Sequence, residues 1–261
     1  MPFTVSHVAA VLPLRRTRLI WSALVVGAMA PDFEYFLLMS PQDRYGHTLI
    51  GLFLFTLPLG LLTLWLFHAY VKATLVELMP DEIQRRLAPV AGEFRFGGAS
   101  RLAMILTSLL LGIVTHLIWD AFTHGNPWLI RNLPALRHPV PVPGIGFVAL
   151  YKLLQHVSTV VGLAILLVWL MRWYRTGQPK VVVQSEGGPR QAWPPAKIAT
   201  LVSITVLAAL GAIFRALTAI GVPSNHSTLA LFVGDLAVTM IALMWWELVA
   251  LGMWRSRTRT K

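Results

Sequence analysis

The stretch RLAMILTSLLLGIVTHLIWDAFTH, residues 101–124, decides the fold. From Leu102 onward it is apolar for long enough to cross a hydrocarbon layer of about 30 Å at ~1.5 Å per residue, and it ends in His116, Asp120 and His124. At about 100° per residue, positions four apart stack on one face of a helix, so these three side chains form one polar stripe. Two imidazoles and a carboxylate are costly to place in hydrocarbon. Ionisable side chains at that depth mark a ligand site, a relay or a pathway.

The rest of the chain fits that reading. Hydrophobic residues make up 56% and charged residues 13% of the sequence, outside the range of a soluble globular domain. Further apolar runs at roughly 49–71, 150–171, 197–219 and 229–254 are each long enough to span, and a run at 19–39 is broken by Pro31-Asp32. The expected class is therefore all-α: a polytopic integral membrane protein with about five to six transmembrane helices. The formal charge of +11 does not point to nucleic acid, because the basic residues flank the apolar runs as the positive-inside rule requires. Cysteine is absent, which excludes disulfides and thiolate metal sites. The first residues lack the basic start, apolar run and small-residue cleavage site of a removed signal peptide.

Arg15, Arg16 and Arg18, the 70–101 and 172–197 connections and the Arg255–Lys261 tail carry the basic excess. They are expected in the cytoplasm, and the 40–48, 124–150 and 220–228 connections outside. That assignment puts Asp32, His47, His116, Asp120 and His124 at the outer ends of their segments. His7 reaches the same depth if Val5–Leu14 and Leu19–Ala30 form a short, re-entrant N-terminal helical hairpin, which would bring His7 beside Asp32. A short amphipathic surface helix is expected over 81–89, opened by acids and closed by Arg and Pro. Residues 176–196, rich in Gly and Pro, read as a flexible cytoplasmic linker. The expected organisation is a histidine-rich membrane domain at 1–175, that linker, and a two-helix membrane hairpin with a basic tail at 197–261.

Taken singly, a histidine near a helix end is an interfacial hydrogen-bonding group, and His68 and His226 are read so, while His138, among prolines, carries no signal. His156 lies where a helix could turn it toward the stripe. Collectively, His7, Asp32, His47, His116, Asp120 and His124 are of types that bind divalent transition metals, and the topology gathers them at one depth. Asp120 is either a ligand or the carboxylate that orients a ligand imidazole. Glu34 is a general base or an interfacial charge. Arg215 and Asp235 suit a structural pair near the outer ends of the last two spans. Tryptophan falls mostly near segment ends, as in an ordinary aromatic belt.

Met1-Pro-Phe-Thr-Val-Ser-His7, Gly27-Ala-Met-Ala-Pro31-Asp32-Phe-Glu-Tyr35, Gly46-His47-Thr48 and Thr115-His116-Leu-Ile-Trp119-Asp120-Ala-Phe-Thr-His124 together resemble the DUF4184 family of bacterial membrane proteins, over residues 1 to about 175. More distantly they are similar to the YdjM-like group of membrane-bound metal-dependent hydrolases, and through it to zinc-dependent phospholipase C and P1-type nucleases. Those enzymes use, in chain order, an N-terminal His, an Asp, a His, a His-x-x-x-Asp pair and a further His around zinc ions. Here the order is met by His7, Asp32, His47, His116 with Asp120, and His124, which would make Asp120 the metal-bridging carboxylate. A second His-x-x-x-Asp is absent downstream, so the resemblance implies one or two ions rather than three.

The expectation is thus a metal-dependent phosphoester hydrolase in the bacterial cytoplasmic membrane, acting from the outer face on a lipid or lipid-linked substrate. Asp32, His47, His116 and Asp120 would hold a metal, zinc by the resemblance. His7 and His124 would bind a second ion or donate to the leaving group. The competing class is a transporter that moves protons or metal through the same residues. It requires polar side chains in the cytoplasmic halves of these helices, where 102–114 and 52–67 offer only Thr107, Ser108, Thr56 and Thr63. A non-catalytic membrane subunit is the third.

Overall fold

The computed structural model describes residues 4–40, 44–144, 146–176 and 194–259. The chain begins with a 3-10 turn at Thr4–His7, a helical turn at Val8–Val11 and a second 3-10 turn at Leu12–Arg16, and then reverses into α1, Trp21–Met29. Pro31 stops α1: a 3-10 turn at Ala30–Asp32 follows it, then a short helix at Phe33–Leu38. The remaining helices are α2 (Leu49–Leu78), α3 (Asp81–Ala91), α4 (Ala99–Thr123), a short helix at Pro127–Asn132, α5 (Leu150–Thr176), α6 (Pro195–Ala219) and α7 (His226–Arg259). Of these, α2, α4, α5, α6 and α7 are long and apolar enough to cross a membrane. The protein is an all-α, multi-pass membrane protein. The 19–39 run is not a sixth straight span, since the Pro31 break divides it.

Two features depart from expectation. The 124–150 connection holds a small antiparallel hairpin, Pro139–Val142 with Gly146–Ala149, in which Pro139 pairs with Ala149 and Val142 with Gly146. The amphipathic helix runs two residues past Pro89, to Ala91. The expected linker falls outside the described residues from 177 to 193, as does Lys261.

The chain divides into two compact units. The first comprises Met1–Phe33, Arg44–Leu62 and Phe96–Thr176. Its centre is a close approach of α1 to α4, made possible by small residues four apart on each helix: Ala23 and Gly27 on α1, Ser108 and Gly112 on α4. A Cβ on Gly27 would lie 2.2 Å from the Leu109 carbonyl oxygen, and one on Gly112 would lie 2.4 Å from that of Leu24. Ser108 Oγ accepts from the Ile20 N–H at 3.0 Å, which fixes the start of α1 on α4. Val8 and Val11 pack on Leu24 and Ala28, so the N-terminal segment and α1 form the expected hairpin. On the far side, Ser6 lies against Gly162 of α5, whose Cβ would meet the Ser6 carbonyl oxygen at 2.8 Å. Ala30, Leu52 and Ile113 close the packing of α2 on this group.

The second unit comprises Glu34–Asp43, Thr63–Arg95 and Gly177–Lys261. In it α6 and α7 pack together, with Arg215 bonded to Asp235 and, at 3.2 Å, to the Leu38 carbonyl. Arg255 meets Glu77 at 3.3 Å and Lys197 meets Asp81 at 3.2 Å. Gly252 lets α7 close on Tyr70, where a Cβ would lie 2.3 Å from the Tyr70 carbonyl oxygen.

Candidate metal centre

The first unit gathers polar side chains from four places in the chain around Asp120. Each is held there by local structure. His116 lies one turn beyond Gly112 on α4, and Ala28 follows Gly27 on α1, so the close approach at the glycines sets His116 against the Ala28 carbonyl. His116 Nδ1 donates to that oxygen at 2.7 Å. This leaves Nε2 as the nitrogen with a free lone pair, aimed at the carboxylates, and a backbone partner of this kind orients ligand imidazoles in metal sites. Asp32 ends the turn that Pro31 imposes, and Thr4 Oγ1 donates to its Oδ2 at 2.6 Å. The other oxygen, Oδ1, faces His116 Nε2 at 3.6 Å and His47 Nε2 at 3.7 Å. His47 precedes Thr48, the N-cap of α2, whose hydroxyl accepts from Gly51 N–H and donates to the Tyr45 carbonyl, both at 2.9 Å. Thr56 Oγ1 bonds the Gly46 carbonyl at 3.2 Å, which ties the loop to α2.

Asp120 divides its carboxylate between two pairs of imidazoles. Oδ2 lies 3.2 Å from His116 Nε2 and 3.3 Å from His47 Nε2. Oδ1 lies 3.2 Å from His124 Nδ1 and 3.4 Å from His7 Nε2. The His7 ring stacks on His116 at 3.8 Å between centroids, with its edge to Trp119. The ligand atoms of Asp32, His47, His116 and Asp120 all lie within 4.8 Å of one another.

The donor chemistry suits a cation. Among the described residues Asp32 Oδ1, His116 Nε2 and Asp120 Oδ1 are buried without a hydrogen-bond partner. Buried polar atoms without partners are rare and call for a ligand or an ion. Asp32 Oδ1 and His116 Nε2 face each other at 3.6 Å with His47 Nε2 and Asp120 Oδ2 beside them, whereas Asp120 Oδ1 faces His7 and His124. Imidazole nitrogen and carboxylate oxygen are the ligand types of a divalent transition metal. A buried group of two carboxylates and two imidazoles that can hold a metal is thus built into the first unit. His7 and His124 stand outside that four-residue group and on the other oxygen of Asp120. Burial and the neighbouring imidazoles push the His7 pKa down to about 3, which keeps the ring neutral. The centre is not sealed: His116 is 0% exposed at its side chain, whereas His47 and His124 are 22% and 31% exposed.

The neighbourhood differs from the sequence reading in three respects. His7 pairs with Asp120 rather than Asp32, and Thr4, which sequence reasoning did not single out, occupies Asp32 Oδ2. On α5 it is Gln155, not His156, that turns inward. Gln155 Nε2 bonds His124 Nε2 at 3.3 Å, while His156 is exposed. His124 is the C-cap of α4 rather than a residue of its body, and Thr123 Oγ1 lies 3.1 Å from its Nδ1. Glu34 is buried and falls in the second unit. Replacing Gln155 by Leu should release the His124 ring, broadening its NMR or crystallographic order while four-residue metal binding persists. Loss of all metal in that variant would contradict the separation of the two groups.

Comparison with known proteins adds a family and no activity. No curated protein and no solved structure matches the chain. The domain of unknown function DUF4184 does match, and over more of the chain than the motifs alone imply: the last two spans, α6 and most of α7, lie inside it rather than beyond it. With residues 1–253 covered, including every residue gathered around Asp120, the chain belongs to the DUF4184 family.

Proposed function

We propose that this protein is a metal-dependent hydrolase of phosphoester type, acting on a lipid or lipid-linked substrate at the outer face of the bacterial cytoplasmic membrane. The observation that carries the reading is the division of Asp120, one carboxylate oxygen toward His47 and His116 and the other toward His7 and His124. Carboxylates that face two imidazole groups suit paired ions about 4 Å apart, the arrangement common to phosphoester-cleaving centres. Asp32, His47, His116 and Asp120 would hold the first ion, a divalent transition metal that the family resemblance makes zinc. His7 and His124 would bind a second. A cation bound there lowers the pKa of a bound water and polarises a phosphoryl oxygen.

The chain's own residues do the rest. Thr4 and the Ala28 carbonyl hold Asp32 and His116 in orientation, and Gln155 holds His124. His124, on the exposed side of the centre, would either bind the second ion or donate to the leaving group. A substrate in the bilayer fits a centre at the ends of apolar helices. The transport reading is less favoured because the polar side chains lower on α4 are committed to structure. Thr107 and Ser108 donate to the carbonyls of Ala103 and Met104 at 2.9 and 2.7 Å.

The test is release of phosphate or of a phosphorylated headgroup from phospholipid vesicles by the purified, metal-loaded protein. Chelation and Asp120→Asn are each expected to abolish it. Metal binding without hydrolysis, together with metal or proton uptake into sealed vesicles, would favour transport instead. The orientation has its own check, and the cysteine-free chain makes it clean. A single cysteine at Gln178 or after Lys261 is expected to resist impermeant thiol reagents in intact cells and to label after lysis. Efficient labelling in intact cells would place the centre on the cytoplasmic side.

A further inference from the structure

At the other end of α5 from Gln155 the first unit has a groove that the metal centre does not use. Its cavity is about 710 Å³, within the range of pockets that enclose small-molecule ligands. Val161, Ala164, Ile165, Val168 and Arg172 line it at helical spacing from α5, together with Trp169 and Trp173, and Arg15 closes it from the N-terminal segment. The groove is therefore apolar along its length and cationic at one end. From Gln155 to Arg172 is 17 residues of helix, about 25 Å at ~1.5 Å per residue, so the cationic end lies near the opposite boundary of a hydrocarbon layer about 30 Å thick.

We propose that this groove is a site for an anionic phospholipid, with the phosphate between Arg15 and Arg172 and an acyl chain along Val168, Ile165, Ala164 and Val161. Three features argue for that occupant. Among the described residues neither arginine has a carboxylate partner, so two cations face the groove without internal neutralisation. Guanidinium groups match phosphate oxygens in fork geometry. Arg15 is held in place by its position 5.8 Å over the Trp169 ring, and Trp169 is itself packed against Trp21 at 6.1 Å. Tryptophans at this depth sit at the headgroup level of a bilayer. The apolar stripe below them presents side chains to the hydrocarbon, since Val161, Ile165 and Val168 are 47%, 45% and 49% exposed. An anionic phospholipid satisfies both halves at once, whereas a soluble anion would leave the stripe uncovered, a lipid without phosphate would leave the arginines unpaired, and a zwitterionic one would bring its own cation to them.

Native mass spectrometry of the full-length protein, supplied with phosphatidylglycerol or phosphatidylcholine of identical acyl chains, tests this. The wild type should retain phosphatidylglycerol at least tenfold more strongly. Arg15→Gln/Arg172→Gln should bring the two lipids within twofold of each other, while Arg16→Gln/Arg175→Gln, adjacent cations that do not line the groove, should keep the preference. Val168→Trp, which fills the groove without altering charge, should weaken retention of phosphatidylglycerol. Equal retention of both lipids by the wild type, or equal loss in the two double variants, would show general surface charge or annular lipid only and would overturn the site. An unchanged preference in Arg15→Gln/Arg172→Gln would do the same.

Discussion

Asp120→Ala protein, purified in detergent, is expected to keep its helices and to lose its tightly bound metal. Asp120 is the only side chain in the cluster that reaches both imidazole pairs, with four nitrogen contacts of 3.2–3.4 Å from its two oxygens. Removing it takes a ligand from each prospective ion and leaves the imidazoles of His7, His47, His116 and His124 without a common anion. Residues that merely support ligands are worth roughly 10–100-fold in metal affinity, so loss of a shared ligand should exceed that. The substitution opens only a small void at the lumen of a cluster that is partly exposed, and folding should survive. His116→Ala should have a comparable effect on metal. His124→Ala should differ, because His124 stands outside the four-residue group: at least one ion is expected to remain while any hydrolytic activity falls. Full metal content in folded Asp120→Ala and His116→Ala proteins would contradict the assignment. Complete metal loss in His124→Ala alone would move the centre to the end of α4.

Gly112→Val should prevent accumulation of folded protein. A Cβ at 112 lies 2.4 Å from the Leu24 carbonyl oxygen and 2.6 Å from the Ala28 amide nitrogen, both backbone atoms that no rotamer change can move aside. Relief requires α1 and α4 to separate. That would exceed the ~1–3 kcal/mol of ordinary overpacking and would also break the His116 bond to Ala28. Gly92→Ala is the matched control, because a Cβ there meets nothing within 4 Å. It should unfold within a few degrees of the wild type in a detergent thermal-stability assay, whereas Gly112→Val should be aggregated or absent. A Gly112→Val protein of wild-type stability would mean that the two helices do not approach as closely as described.

The parts of this protein that follow from local chemistry were legible in the sequence. Long apolar runs gave the spans, Pro31 gave the break that ends α1, and four-residue spacing put His116 and Asp120 on one face. What depended on how helices rotate and press together was not. α5 is apolar on nearly every side, so periodicity cannot say which residue faces inward. The rotation is set by Gly162 against Ser6, and it favours Gln155 over its neighbour His156, about 100° around the axis. The pairing of His7 was likewise decided by contacts across the fold: the N-terminal hairpin forms as read, but Thr4 reaches Asp32 first and His7 stacks on His116 beside Asp120. The small residues of α1 and α4, four apart on each helix, carry no polar signal in the sequence, although their close approach is what positions His116. The hairpin at 139–149 was obscured by Pro139 and Pro141, residues that suit only an edge strand and read as loop.

The most direct measurement is the metal content of the purified wild-type protein, by elemental analysis after exhaustive dialysis, combined with X-ray absorption at the edge of the metal found. One or two transition-metal ions per chain are expected, zinc foremost by the family resemblance. Also expected is a first coordination shell of nitrogen and oxygen only, at about 2.0–2.2 Å, with the outer-shell scattering of imidazole. Wild-type protein that is folded, carries no transition metal and binds none when zinc, manganese or iron is supplied would contradict a metal centre at Asp120. Asp32, His47, His116 and Asp120 would then be a buried polar network rather than a metal centre.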